Sequence, residues 1–127
     1  MRIPSPCLSL LLATGIAPLA AFPAWAQSGD AGAGGMAFIQ CADCHSTTAS
    51  HGTGPGLRGI LGRGAGKADG FAYSAAMAKS SLVWDAKALD GFLANPKAAV
   101  PGTSMDFPGV GDARERADLI AYLATLK

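Results

Sequence analysis

Cys41-Ala42-Asp43-Cys44-His45 is the stretch on which the reading of this 127-residue chain turns. C-x-x-C-H is the attachment signature of a c-type haem. Two thiols about one helical turn apart can add across the two vinyl groups of the porphyrin, and the adjacent imidazole is then placed to ligate iron. Two other readings of a cysteine pair meet obstacles. A thioredoxin-like redox pair needs a βαβ setting, yet beyond residue 26 the chain has only six scattered Val and Ile residues: Ile39, Ile60, Val83, Val100, Val110 and Ile120. A zinc site needs four ligands, and outside the motif only His51 is available.

Upstream of the motif the chain reads as an address. Arg2 precedes the apolar stretch Leu8 to Ala21, which is followed by Ala24-Trp25-Ala26. A positive start, an apolar middle and a small-x-small site predict a secretory signal peptide over residues 1–26, cleaved after Ala26. The apolar run is shorter than the roughly 20 residues a spanning helix needs, and prolines interrupt it, so no membrane span is expected after cleavage. A periplasmic location follows as an expectation. The domain left is 27–127, a single unit of ordinary size. Without Arg2, nine basic residues face nine acidic ones, which excludes the basic surface that non-specific nucleic-acid binding requires.

Downstream, helical periodicity appears in three places. A first helix is expected from about Asp30 to Cys44, with Phe38 and Ile39 as apolar contacts and glycines that weaken it in isolation. A second spans Asp85 to Asn95, where Asp85 is an N-cap candidate, Leu89, Phe92 and Leu93 are spaced along one face, and Pro96 stops it. A third starts at Asp112, whose spacing to Glu115 resembles a capping box, and carries Leu119, Ile120, Tyr122, Leu123 and Leu126. Gly34 or Gly35 could give Tyr122 room for a close crossing. Between the first two helices, Ser46 to Ala72 holds eight glycines and reads as a long loop, a length that wrapping a haem would explain.

A second axial ligand has to come from chain far from His45. Met36 shares the motif's own helix, and His51 lies in a Gly-rich turn, where a loop-bracing role fits. Met77 falls in a short helix, where methionine is commonly core filler. Met105, in the rigid loop Pro101-Gly-Thr-Ser-Met105, is the favoured candidate. A His/Met pair raises the reduction potential.

Taken in order, these elements resemble the class I cytochrome c family, most closely its mitochondrial and related bacterial branch. They are Gly34 and Phe38 before Cys41 to His45, then His51-Gly-Thr-Gly-Pro55-Gly-Leu57, Gly62-Arg63 and Gly70-Phe-Ala-Tyr73. Trp84, Asn95-Pro-Lys97, Pro101 to Met105 and Arg116 to Leu123 complete the series. The resemblance implies an all-α fold of three main helices, short helices and long loops wrapped around one haem c. It implies attachment at Cys41 and Cys44, axial ligation by His45 and Met105, and a bond from His45 to the Pro55 carbonyl. Arg63, Tyr73 and Trp84 would lie near the haem propionates. The implied function is one-electron transfer by a monomer that meets donor and acceptor redox proteins at an exposed haem edge, without enzymatic turnover.

Some positions depart from the family pattern. Phe92 stands where a tyrosine often reaches toward the methionine sulfur, and Gly56 replaces an asparagine. The loop after His45 is about two residues shorter than in the mitochondrial proteins. Ala98 and Ser104 replace docking lysines, which argues against strongly electrostatic docking to an acidic oxidase. Two rival functions remain open at this point: a haem subunit docked permanently on a dehydrogenase or oxidase, and a sensor or peroxidase with a weakly held sixth ligand.

Overall fold

A computed structural model describes residues 28–127 of the chain. The expected signal peptide lies outside those residues. Five helices are present among the described residues, and regular strands are not. Helix α1 spans Ala31–Ala37 and tightens into a 3-10 turn at Phe38–Gln40. Asp30 caps it by accepting the N–H groups of Gly32 at 2.7 Å and Ala33 at 3.0 Å. These two bonds, Ala33 first, hold the Asp30 carboxyl below the usual aspartate range. The expected regular helix to Cys44 is therefore shorter. Its glycines pay a large backbone entropy, and beyond Ala37 the chain winds through three-residue bonds, Cys41 N–H to the Phe38 carbonyl and Cys44 N–H to the Cys41 carbonyl.

Helix α2 is one turn, Ala75–Ala78, capped by Ser74. Helix α3 covers Ala86–Ala94, with Asp85 accepting from Ala88 N–H as its N-cap. Pro96 ends α3 but also begins α4, Pro96–Ala99, at the first helical position, where a missing N–H costs nothing. Asn95 serves both, ending one helix and capping the next through the Ala98 N–H. Helix α5 runs over Ala113–Leu123 from the Asp112 cap. Only half of a capping box forms: Glu115 donates its N–H to Asp112, while its carboxylate accepts from Gln40 instead.

The principal helix contact is α1 against α5. Gly34 makes it possible, because a Cβ there would fall on the Asp118 carbonyl, and Tyr122 Cβ would lie 2.8 Å away. Tyr122 then packs beside Gly35 and tilts against Phe38 with ring centroids 5.4 Å apart. Asp118 locks the crossing, accepting the Asp30 N–H at 2.7 Å and Arg114 Nε at 3.1 Å. Phe38, Trp84, Leu89, Phe92, Leu93, Leu119 and Leu123 form the centre of the core. Met77 is buried with them, as expected of core filler.

The segment from Ser46 to Phe71 is loop, as its glycines suggest, and side chains and backbone brace it. His51 Nδ1 accepts the Gly56 N–H at 3.0 Å, so its Nε2 carries the proton and donates to the Asp69 carbonyl at 2.8 Å. That single neutral imidazole ties the two arms of the loop together.

Candidate functional site

The 3-10 turn, the long loop, α3, α5 and the loop after α4 enclose an open cleft of about 280 Å³. Its walls are mostly apolar: Leu57, Ile60, Leu89, Phe92, Leu119 and Leu123 are among them. Into this space the fold turns Cys41, Cys44, His45, Pro55, Tyr73, Trp84 and Met105. Residues up to 64 positions apart in sequence thus share one cavity.

The His45 side is built by short-range contacts. Tight backbone bonds, Cys41 N–H to Phe38 and His45 N–H to the Cys41 carbonyl at 2.9 Å, fold the motif into successive turns. His45 Nδ1 lies 2.8 Å from the Pro55 carbonyl, an acceptor only, so Nδ1 carries a proton and Nε2 is the nitrogen left for a ligand bond. Gly54 packs flat against the ring: a Cβ there would lie 2.7 Å from His45 Nδ1. The Gly54 N–H also binds the Cys44 carbonyl at 2.8 Å. Both thiols are free, and Cys41 is half-buried where Cys44 is exposed. Burial, followed by the neighbouring Cys44 and Glu115, pushes the Cys41 thiol up from its ordinary value.

On the Met105 side the chain is held at longer range. Val100 and Thr103 turn the loop through a 3.0 Å backbone bond, and the Met105 N–H rests on Thr103 Oγ1 at 3.3 Å. Beyond Met105 the loop is clamped by Arg116, which donates to the Val110 carbonyl at 2.9 Å and the Gly111 carbonyl at 3.1 Å while its Nε meets Asp90 at 2.7 Å. The Val110 N–H returns to the Leu93 carbonyl at 2.8 Å. Gly109, at φ +103°, passes so close to Ala94 that a side chain would strike its carbonyl. Neither Arg116 as a clamp nor Asp90 as its partner was legible in the sequence, where each reads as an exposed charge on a helix.

The three propionate candidates are placed differently. Tyr73 and Trp84 both line the cavity, whereas Arg63 stands off its wall. The Arg63 guanidinium donates to the carbonyls of Gly56 and Arg58, each at 3.1 Å. Tyr73 stacks edge-on with Phe71 and its hydroxyl accepts the Ala68 N–H at 3.2 Å. Trp84 packs on Phe92 at 4.9 Å between centroids, so the phenyl ring is a packing element within the cavity wall.

The donor set fits a haem c. Two accessible thiols on adjacent turns can form thioethers, an imidazole with a free Nε2 faces the cavity, and a soft thioether stands on a separate loop within the same apolar enclosure. Comparison with known proteins agrees. The cytochrome c family model matches residues 31–127. Cytochrome c2 of Rhodomicrobium vannielii is 46% identical over 116 residues, covering 87% of this chain and 93% of that protein. Cytochrome c of Guizotia abyssinica is 46% identical over 101 residues, 77% of this chain and 91% of its own. In structure, cytochrome cH from Methylobacterium extorquens superposes with a TM-score of 0.74 at 50% identity, covering 76% of this chain and 99% of that one. The attachment motif, the apolar cleft around it and the family match over nearly all the described residues lead to one conclusion: this chain belongs to the cytochrome c family, with one covalently attached haem c.

Proposed function

We propose that the protein is an exported, periplasmic carrier of single electrons in which His45 and Met105 are the axial ligands of the haem iron. The electron-transfer role itself follows from the family; the ligand pair, compartment and monomeric state are our reading. The observation that carries the ligand assignment is that one imidazole, oriented by Pro55, and the half-buried thioether of a loop residue face the same apolar cleft, whereas Met77, which also lines it, is buried in α2 among core side chains. When bound, the haem supplies an iron that exchanges one electron between Fe(III) and Fe(II).

The chain's own part is to bind, orient and dry the site. Cys41 and Cys44 would hold the porphyrin covalently. Pro55 fixes the ring plane of His45 and, by accepting from Nδ1, makes Nε2 a stronger donor. The apolar walls exclude water and disfavour the more highly charged oxidised site, and a thioether partner favours the reduced one, so both act to raise the potential. Tyr73 and Trp84 supply a phenol and an indole at the cavity wall for the propionates. Export is supported by residues 1–26, whose positive start, apolar middle and Ala-x-Ala end have the pattern of a signal peptide.

The test is the absorption spectrum of the oxidised, matured protein. We expect the weak red charge-transfer band of methionine bound to ferric iron, and expect Met105→Ala to abolish it and lower the reduction potential. A high-spin spectrum indifferent to the substitution would overturn the assignment and leave an open sixth position, the arrangement of a sensor or peroxidase.

A further inference from the structure

Partner choice is written on the rim of the cleft. Of the residues that line it, Gln40, Cys44, Thr53, Ser104 and Asp106 are exposed. One of these five is acidic and none is basic. Asp43, exposed beside Cys44, adds a second carboxylate, and Glu115, bound to Gln40 at 2.7 Å, adds a third. Lys97 reaches this edge, its Nζ 3.2 Å from Asp106 Oδ1; both side chains remain largely in water, at 64% and 96% exposure. Its charge is spent on a rim carboxylate. Met36 and Ile39, three residues apart on α1 and the following turn, are each 79% exposed, and Ile39 stands between the cavity-lining Phe38 and Gln40. Two large apolar side chains thus stand exposed on the turns that lead into the attachment motif.

From this juxtaposition we infer that the mouth of the haem cleft docks a redox partner presenting basic side chains around an apolar patch. The inference rests on the electron-carrier reading and adds the sign of the docking charge. With Asp106 offset by Lys97, the carboxylates of Asp43 and Glu115 remain in excess, and they attract a cationic surface and repel an acidic one. Ile39 and Met36 offer apolar area to a contact of the small, transient kind that electron exchange uses. A partner docking on an acidic rim binds less well as salt rises, and does so although the domain as a whole carries no net side-chain charge.

The experiment reads the rim directly and needs no electron transfer, so its failure is distinct from failure of the carrier reading. The matured, ¹⁵N-labelled protein in its reduced state is titrated with two paramagnetic probes of opposite charge, hexaamminechromium(III) and hexacyanochromate(III). The cation is expected to broaden the backbone amides of Asp43, Cys44 and Asp106 about threefold more than the anion at low salt. Combining Asp43→Asn with Asp106→Asn should bring the ratio close to one, and Glu115→Gln alone should reduce it partway. Equal broadening by the two probes, stronger broadening by the anion, or a cation preference that survives the double substitution would overturn the inference.

Discussion

The two halves of the cleft are held by different means. Around His45, the structure is local: the ring, its Pro55 acceptor and the Gly54 backbone lie within ten residues, and the bonds joining them stay inside that segment. Around Met105, the loop owes its place to side chains and backbone that arrive from α3 and α5, chiefly Arg116, Asp90 and Leu93. A locally closed unit opens only when its own few bonds break, whereas a loop tied at long range follows the fate of every element that ties it. The methionine side is therefore the one expected to loosen first, while the histidine stays in place.

The largest break to this contrast is Gly54→Ala. The new methyl would overlap the His45 ring with no flexible neighbour to give way, and about 3 kcal/mol of stability should be lost, since overpacking against a fixed group is costly. Urea unfolding of the matured protein measures it, and a loss well under 1 kcal/mol would mean that the backbone at Gly54 can move off the His45 ring.

Arg116→Ala sharpens the contrast from the other side. It strips donors from two loop carbonyls and leaves Asp90 without its partner, at an expected cost of about 2 kcal/mol. More telling than the magnitude is the order of events on heating: the red methionine band should vanish several degrees before the far-ultraviolet helical signal. Simultaneous loss of both signals would show that Arg116 supports the whole domain equally.

Asp30→Ala has the smallest expected effect and a pH signature. Because the folded-state carboxyl is held below its usual range, its charged form contributes stability above the unfolded aspartate range, and that contribution disappears as pH falls through the folded value. The wild type should thus be the more stable at neutral pH, and the two proteins should converge in acid. A gap independent of pH would assign the cap's contribution to something other than its charge. The contrast predicts that neither the red band nor the His45 environment changes at neutral pH.

How much of this was legible in the residues divides along the same line. The motif, the Asp85 and Asp112 caps, the glycine-rich loop and the Gly34 crossing are written in contiguous or periodic patterns, and each appears where its pattern places it. The bracing role of His51 was likewise readable from the turn around it. What escaped was pairing across distance. Asp118 accepting from Asp30, 88 residues away, has no signature in either helix, and the Arg116 clamp looks like one more charge on a solvated face. The shortening of α1 was concealed for a related reason: helical spacing continues through Phe38 and Ile39, although the backbone there has already passed into the 3-10 turn Phe38–Gln40. The second role of Pro96 was hidden too, because a residue that stops one helix is equally suited to start the next.

The crossing of α1 with α5 sets a schedule. A polypeptide is made from its N-terminus, so Cys41 to His45 leaves the ribosome some seventy residues ahead of the helix that will close behind it. Until Ala113–Leu123 is complete, Gly34 has no Tyr122 against it and Asp30 no Asp118, and the two thiols sit on a segment with no back wall. The attachment site therefore stays open on that side for as long as the C-terminal helix is undocked, and the last eleven helical residues shut it.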